Sequence, residues 1–147
     1  MAGFASQVKG DGRPLSEMGL SAERWEEIKH HTVQGGSNII KLRGRSSFQS
    51  PAYIAVKMIE AAMGGEKFTL PAGCYVNNDK FGFKNVMMAM PTTIDKTGVH
   101  FTEPAGTEEE MAALNKSYEH LCKMRDEIVE LGIVPPVAEW NKLNSNL

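Results

Sequence analysis

Apolar positions along the chain repeat with two different periods. Trp25, Ile28, Thr32, Ile39 and Ile40 fall on one face of a helix. Ser21 stands before them as an N-cap, and Glu23, Glu26 and Glu27 sit near the positive helix end. Gly35-Gly36 interrupts this face. Each glycine costs about 1 kcal/mol in a helix interior relative to alanine, so the pair predicts a bend or two consecutive helices. A second helix is predicted from Pro51 to Met63, where Ala52, Ala55, Val56, Ile59, Ala62 and Met63 keep helical spacing and Gly64-Gly65 follows as a stop. A third opens at Thr107-Glu108-Glu109-Glu110, a capping box with threonine at the cap and glutamate three residues on. Its apolar stripe is Met111, Leu114, Tyr118, Leu121, Ile128 and Val129; Gly132 closes it and Pro135-Pro136 prevents a restart.

Shorter stretches carry the strand signal. Residues 3 to 8 are predicted as a short strand, followed by the turn Lys9-Gly10-Asp11-Gly12-Arg13-Pro14. Phe68 to Val76 reads as a strand, with Pro71 requiring an edge position or a bulge. Asn77 to Gly82 is a hairpin-like turn. Asn85 to Met90 is nearly all apolar and predicts a strand covered on both faces. Ile94 to Val99 turns into a last short strand, Val99 to Phe101.

Composition narrows the class. The 147 residues suit one domain, and 41% hydrophobic with 23% charged residues is ordinary for a globular chain. A net charge of −2 gives no reason to expect nucleic acid or an anionic membrane surface. The apolar runs are far shorter than the ~20 residues of a membrane span. Met1 to Gln7 has neither a basic leader nor a long apolar core, so no signal peptide is expected. Cys74 and Cys122 belong to no Cys-x-x-Cys pair and have no histidine at metal spacing, so no metal is expected. They read as buried thiols of a reducing compartment, which predicts a cytoplasmic location. The nine methionines suit gap-filling in a core or an interface.

The junction Lys41-Leu42-Arg43-Gly44-Arg45-Ser46-Ser47-Phe48-Gln49-Ser50-Pro51 joins the first two helices. Three serines and a glutamine occupy five positions before an apolar helix whose first N–H groups need partners. Pro51 fits a first helical position. Such a loop can hold an anion against a helix N-terminus, although on residue types alone an ordinary cap and turn accounts for it.

Asn38-Ile39-Ile40-Lys41-Leu42, followed by Gly44, Ser46 and Pro51, resembles the junction in the C-terminal domain of malate dehydrogenases of the lactate/malate dehydrogenase family. The Gly35-Gly36 pair, the turns Phe81 to Val86 and Lys96 to Val99, and the Thr107 capping box resemble the family's in the same order. The likeness covers residues 1 to 131 and leaves 132 to 147 as a tail. It implies an α+β fold, with antiparallel strands packed on long helices. It also implies a domain incomplete at its N-terminal side and lacking the nucleotide-binding domain. The implied reaction is the interconversion of (S)-malate and oxaloacetate with NAD in the tricarboxylic acid cycle. Ser46 would line the substrate pocket, and Ser47 and Phe48 would lie beside the nicotinamide end of the cofactor. The implied partners are the small-molecule substrate and further copies of the chain in a homo-oligomer, with the helix near residues 22 to 43 taking part.

The catalytic machinery itself is not expected in this chain. Neither glycine pair has the G-x-G-x-x-G spacing that holds a pyrophosphate. Hydride transfer from a hydroxy acid needs a base and a cation for the carboxylate. In the family these are a histidine paired with an aspartate, and arginines, all upstream of this stretch. His30 and His31 are adjacent on a helix and point about 100° apart. They and His100 and His120 read as surface or partly buried residues without a catalytic partner. Arg43 and Arg45 flank the junction and can approach an anion, though exposed charges near a helix end are common. The chain alone is therefore expected to be inactive. Two alternatives stay open: a stand-alone, non-catalytic interaction module, and a portion of a lactate dehydrogenase.

Overall fold

The computed structural model describes residues 3–144. Helix α1 runs from Ala22 to Arg43. The Ser21 hydroxyl accepts the Arg24 N–H at 3.2 Å, and Gly44 ends the helix at φ 69°, its N–H donating to the Ile40 carbonyl at 2.8 Å. The expected division into two helices is not found, because α1 continues through Gly35-Gly36. Once nucleated, each further turn adds hydrogen bonds, and a ladder anchored at both ends outweighs the ~2 kcal/mol that two glycines cost. No residue of α1 is fully buried.

Helix α2, Gln49–Ala62, begins two residues earlier than predicted. Phe48 occupies the cap without a side-chain hydrogen bond, so none of the serines caps this helix. Pro51 stands third in the helix, still among the first four positions whose N–H groups have no partner within it. The helix ends in a Schellman turn. The Gly64 N–H reaches the Ala61 carbonyl at 3.1 Å and the Gly65 N–H reaches Glu60 at 2.8 Å, with Gly64 at φ 93°.

The N-terminal segment differs from expectation. Ala5–Gln7 is a 3-10 turn, and the strand pair is β1 (Lys9–Gly10) with β2 (Arg13–Pro14), inside the stretch predicted as a turn. The reason lies in a long-range contact. Ser6 donates its N–H (2.9 Å) and its hydroxyl (2.5 Å) to the Glu110 carboxylate, so the segment is held against a helix end and not in a ladder.

Four strands follow before the last long helix. β3 (Ala72–Asn78) pairs antiparallel with β4 (Phe83–Met90), placing Val76 opposite Val86 and Tyr75 opposite Met87. β5 (Thr92–Asp95) pairs with β6 (Gly98–Phe101). The strand expected from Phe68 starts only after Pro71; Phe68 instead exchanges two backbone hydrogen bonds with Ile94. Along β4, Phe83, Val86, Met88 and Met90 are buried while Lys84, Met87 and Ala89 are exposed. This alternation corrects the expectation of a strand covered on both faces: the ribbon is two-stranded and α3 covers one side of it.

Helix α3, Glu108–Glu130, opens on the predicted capping box, with Thr107 and Glu110 bonded reciprocally. Its stripe meets the ribbon in the main core, formed by Cys74, Val76, Phe83, Val86, Met88, Met90 and Leu114, with Met111, Tyr118 and Leu121 packed around it. Met90 and Val76 are fully buried, each such side chain contributing about 1.5–3 kcal/mol. A smaller cluster of Ala61, Phe68 and Ile94, with Met58 and Ala72, ties the end of α2 to β5. The tail carries a 3-10 turn, Val137–Glu139, and the one-turn helix α4, Trp140–Leu143. Both cysteines are free; Cys74 is buried, whereas Cys122, expected to be buried, is half-buried on α3. Among the described residues no helix is long and apolar enough to cross a membrane.

Burial pushes the Glu110 carboxyl up, but hydrogen bonds from Ser6 and Thr107 outweigh it and hold the group below the ordinary glutamate value. A carboxyl lowered in the folded state stabilises above its unfolded pKa and loses that contribution as pH falls through the folded one. Glu110→Gln should therefore cost about 1–3 kcal/mol at neutral pH in urea unfolding and flatten the loss of stability on acidification. Equal stability of the two proteins at neutral pH would contradict this.

Candidate functional site

The junction between α1 and α2 forms an exposed corner. Gly44, in the left-handed region, turns the chain out of α1, and five residues later α2 begins. Arg43 donates from Nη1 to Gln49 Oε1 at 3.0 Å across the corner. The Arg45 guanidinium carbon lies 5.2 Å from the centre of the Phe48 ring, a cation–π contact. Ser47 Oγ and Ser50 Oγ are 3.5 Å apart. Ser46 is exposed, Ser47 half-buried, and Phe48 is 55% exposed. The three predicted residues are thus brought to one corner, with two guanidiniums beside them.

This set has a definite chemistry. The hydroxyls, the guanidiniums and the first N–H groups of α2 are donors suited to a carboxylate or another anion. The open face of Phe48 suits a flat ring. A serine without an adjacent base is not a nucleophile, so the corner can bind and orient a ligand but has no group to take its proton at neutral pH.

The histidines lie elsewhere. His30 and His31 contact each other edge to face, ring centres 6.1 Å apart. His100 lies 3.0 Å, through Nε2, from the Thr97 hydroxyl. Among the described residues no histidine bonds a carboxylate directly, and no group of three histidine, cysteine, aspartate or glutamate side chains could hold a metal.

Two features escaped the reading of the residues. At the β5–β6 turn, Asp95 accepts the Thr97 N–H (2.9 Å) and hydroxyl (2.5 Å), and Lys67 Nζ lies 3.1 Å from it. With His100 on Thr97 this makes a short polar chain; Asp-x-Thr is an Asx-turn signal, but the Lys67 partner comes from a distant segment. The second is an apolar groove of about 660 Å³ between the N-terminal segment, the end of β4 and α3, lined by Phe4, Val8, Met88, Met90, Leu114 and Leu121. It is assembled from stretches far apart in the chain, so no local pattern announces it.

The comparisons with known proteins agree with one another. A family model described as lactate/malate dehydrogenase, alpha/beta C-terminal domain, matches residues 4–131. A malate dehydrogenase of Bacillus israeli is 36% identical over 110 residues, covering 74% of this chain and 35% of the relative. The chain thus spans about a third of the length of the curated relatives it matches. Among solved structures, the malate dehydrogenase from Aeropyrum pernix superposes with a TM-score of 0.75 at 27% identity, covering 84% of this chain and 41% of that one. The lactate dehydrogenase from Cryptosporidium parvum, solved with lactic acid and β-nicotinamide adenine dinucleotide, gives 0.75 at 28% identity, covering 85% and 41%.

The Thr97 hydroxyl and N–H, together with Lys67, hold the Asp95 carboxyl far below the usual carboxylate range. By carbon NMR Asp95 should stay ionised at about pH 3, where an unperturbed aspartate is mostly protonated. Titration at the ordinary aspartate value would contradict the geometry of this turn.

Proposed function

This chain belongs to the lactate/malate dehydrogenase family, whose C-terminal α/β domain spans residues 4–131, and from that premise we propose that it is the substrate-side portion of an NAD-dependent malate dehydrogenase. The intact enzyme would interconvert (S)-malate and oxaloacetate in the tricarboxylic acid cycle, in the cytoplasm. The observation that carries the reading is the 36% identity with the Bacillus israeli malate dehydrogenase over 110 residues. A portion of a lactate dehydrogenase is the second reading, favoured only by a structural likeness of the same quality.

We assign Ser46 to the substrate pocket, and Ser47 and Phe48 to the nicotinamide end of the cofactor. Their gathering in one open corner supports this, as do the half-exposed Phe48 ring and the two guanidiniums beside it. NAD, when bound, supplies the hydride-accepting ring. The residues of this chain fit that end of the cofactor only. A pyrophosphate needs a glycine-rich turn, and no G-x-G-x-x-G is present. Most of the cofactor would be held by the family's nucleotide-binding domain, which also precedes the substrate base in the chain order that the resemblance implies. Ser46 would shape the pocket, and proton transfer would fall to that missing base.

The helices flanking the corner support an oligomer. Ile40, Leu42, Val56, Ile59 and Met63 are exposed together on these two helices, Leu42 at 87%. Apolar side chains in that number mark a surface meant to be covered. Light scattering over a dilution series should give a mass above that of the monomer; a monomer at every concentration would contradict the oligomer.

The 147-residue chain alone should oxidise NADH with oxaloacetate no faster than background. Fused behind the preceding two thirds of the Bacillus israeli enzyme, it should restore oxidation of NADH by oxaloacetate at least about a hundredfold above that background. In that fusion Ser46→Leu should lower kcat/KM about a hundredfold. A fusion without turnover would contradict the assignment to this enzyme, steady turnover from the pure chain would refute its dependence on the other domain, and an unchanged Ser46→Leu would remove Ser46 from the pocket.

A further inference from the structure

Residues 133–144 lie beyond the stretch that the family model matches, yet they fold back onto the domain. The chain leaves α3 through a second Schellman turn. The Gly132 N–H donates to Val129 at 2.9 Å and the Ile133 N–H to Ile128 at 3.0 Å, with Gly132 at φ 69°. Pro135-Pro136 cannot continue a helix, and the 3-10 turn and α4 follow. Trp140 is fastened within its own segment, its indole N–H donating to the Pro135 carbonyl at 2.7 Å. Its ring centre lies 6.2 Å from that of Tyr75, tilted by 53°, a geometry of attractive aromatic pairs. From Ile133 to Asn144, only Val134, Val137 and Trp140 are half-buried; the other residues are exposed.

Tyr75 stands on the outer face of the ribbon, between Cys74 and Val76, whose side chains enter the core. Its cross-strand neighbour Met87 is 59% exposed. The Tyr75 hydroxyl donates to Asn85 Oδ1 at 2.6 Å. Asn85 sits at φ 52°, a left-handed conformation that asparagine tolerates better than most residues, within the irregularity that separates the Val76–Val86 and Asn78–Phe83 pairs. The carbonyls freed there accept from Arg125 Nη1 on α3, Lys84 at 3.2 Å and Asn85 at 3.0 Å. One continuous set of contacts therefore runs from Trp140 through Tyr75 and Asn85 to Arg125.

We propose that residues 133–143 form a strap that docks on the outer face of the β3–β4 ribbon through Trp140 and holds the β4 bulge in the form that Arg125 engages. Trp140 belongs to neither core cluster, so the strap opens while the core stays folded. Its opening uncovers Tyr75 beside the exposed Met87, so the ribbon's outer face switches between a covered and an open state.

The full chain with Trp25→Phe leaves Trp140 as the sole tryptophan. Its emission should be shielded from acrylamide, and Tyr75→Leu should red-shift it and raise the quenching. In the otherwise unchanged chain, Trp140→Ala should speed amide exchange around Asn85 and Met87 about fivefold, the factor that one aromatic pair carries. Exchange within α3 near Leu114 should not change. Quenching of Trp140 as free as that of N-acetyltryptophanamide would overturn the strap. So would unaltered exchange in Trp140→Ala, or acceleration of the whole molecule by one common factor, which would make Trp140 part of the global fold.

Discussion

Everything in this domain hangs on the packing of one ribbon face against one helix. Alternation along β4, shifted once at the Asn85 bulge, delivers Phe83, Val86, Met88 and Met90 to α3, where Leu114, Tyr118 and Leu121 receive them. Phe83 and Tyr118 meet with ring centres 4.9 Å apart, and the same tyrosine's hydroxyl accepts the Lys84 N–H, so one residue of α3 fixes both depth and register. Other parts attach to this unit by fewer contacts. The N-terminal segment is bonded to Glu110 at the start of α3, and α2 is anchored through Ala61 to Phe68 and Ile94. Helix α1 buries no residue at all.

That hierarchy explains which elements were legible in the sequence. The capping box at Thr107, the N-cap at Ser21 and the glycine stops at Gly64 and Gly132 are local devices, and the structure contains each of them. The expected α+β arrangement of antiparallel pairs and long helices is also present. Errors fell where a distant partner decides. Residues 3 to 8 resemble a strand until Glu110 is placed beside Ser6. β4 reads as a two-sided strand because its outer residues, Met87 and Ala89, are apolar and nothing local says they face outward. At Phe48 the helix starts early because consecutive serines offer several caps of similar worth, and no pattern ranks them. The fold of the tail was not legible, since Trp140 meets Tyr75, a residue far from it in the sequence.

The candidate site sits at the opposite end of this hierarchy from the core. Ser46, Ser47 and Phe48 join the two least buried of the three long helices, so the corner is built from exposed donors and one open ring. Its gathering was legible from chain order alone, because a short loop between two helices must bring its residues together. Its orientation was not, since the Arg43–Gln49 and Arg45–Phe48 contacts depend on the corner angle set at Gly44. An exposed corner beside apolar helix faces is the form expected of a surface completed by the rest of a larger protein.

Native-state hydrogen exchange on the chain by itself reads that hierarchy most directly. Slow exchange is expected in β3, β4 and α3, with much faster exchange from Val33 through Phe48, and added protection of that stretch once the chain is joined to a nucleotide-binding domain. Protection of residues 33 to 48 as strong as that of α3 in the isolated chain would contradict it, because the corner and its flanking helices would then be complete without a partner.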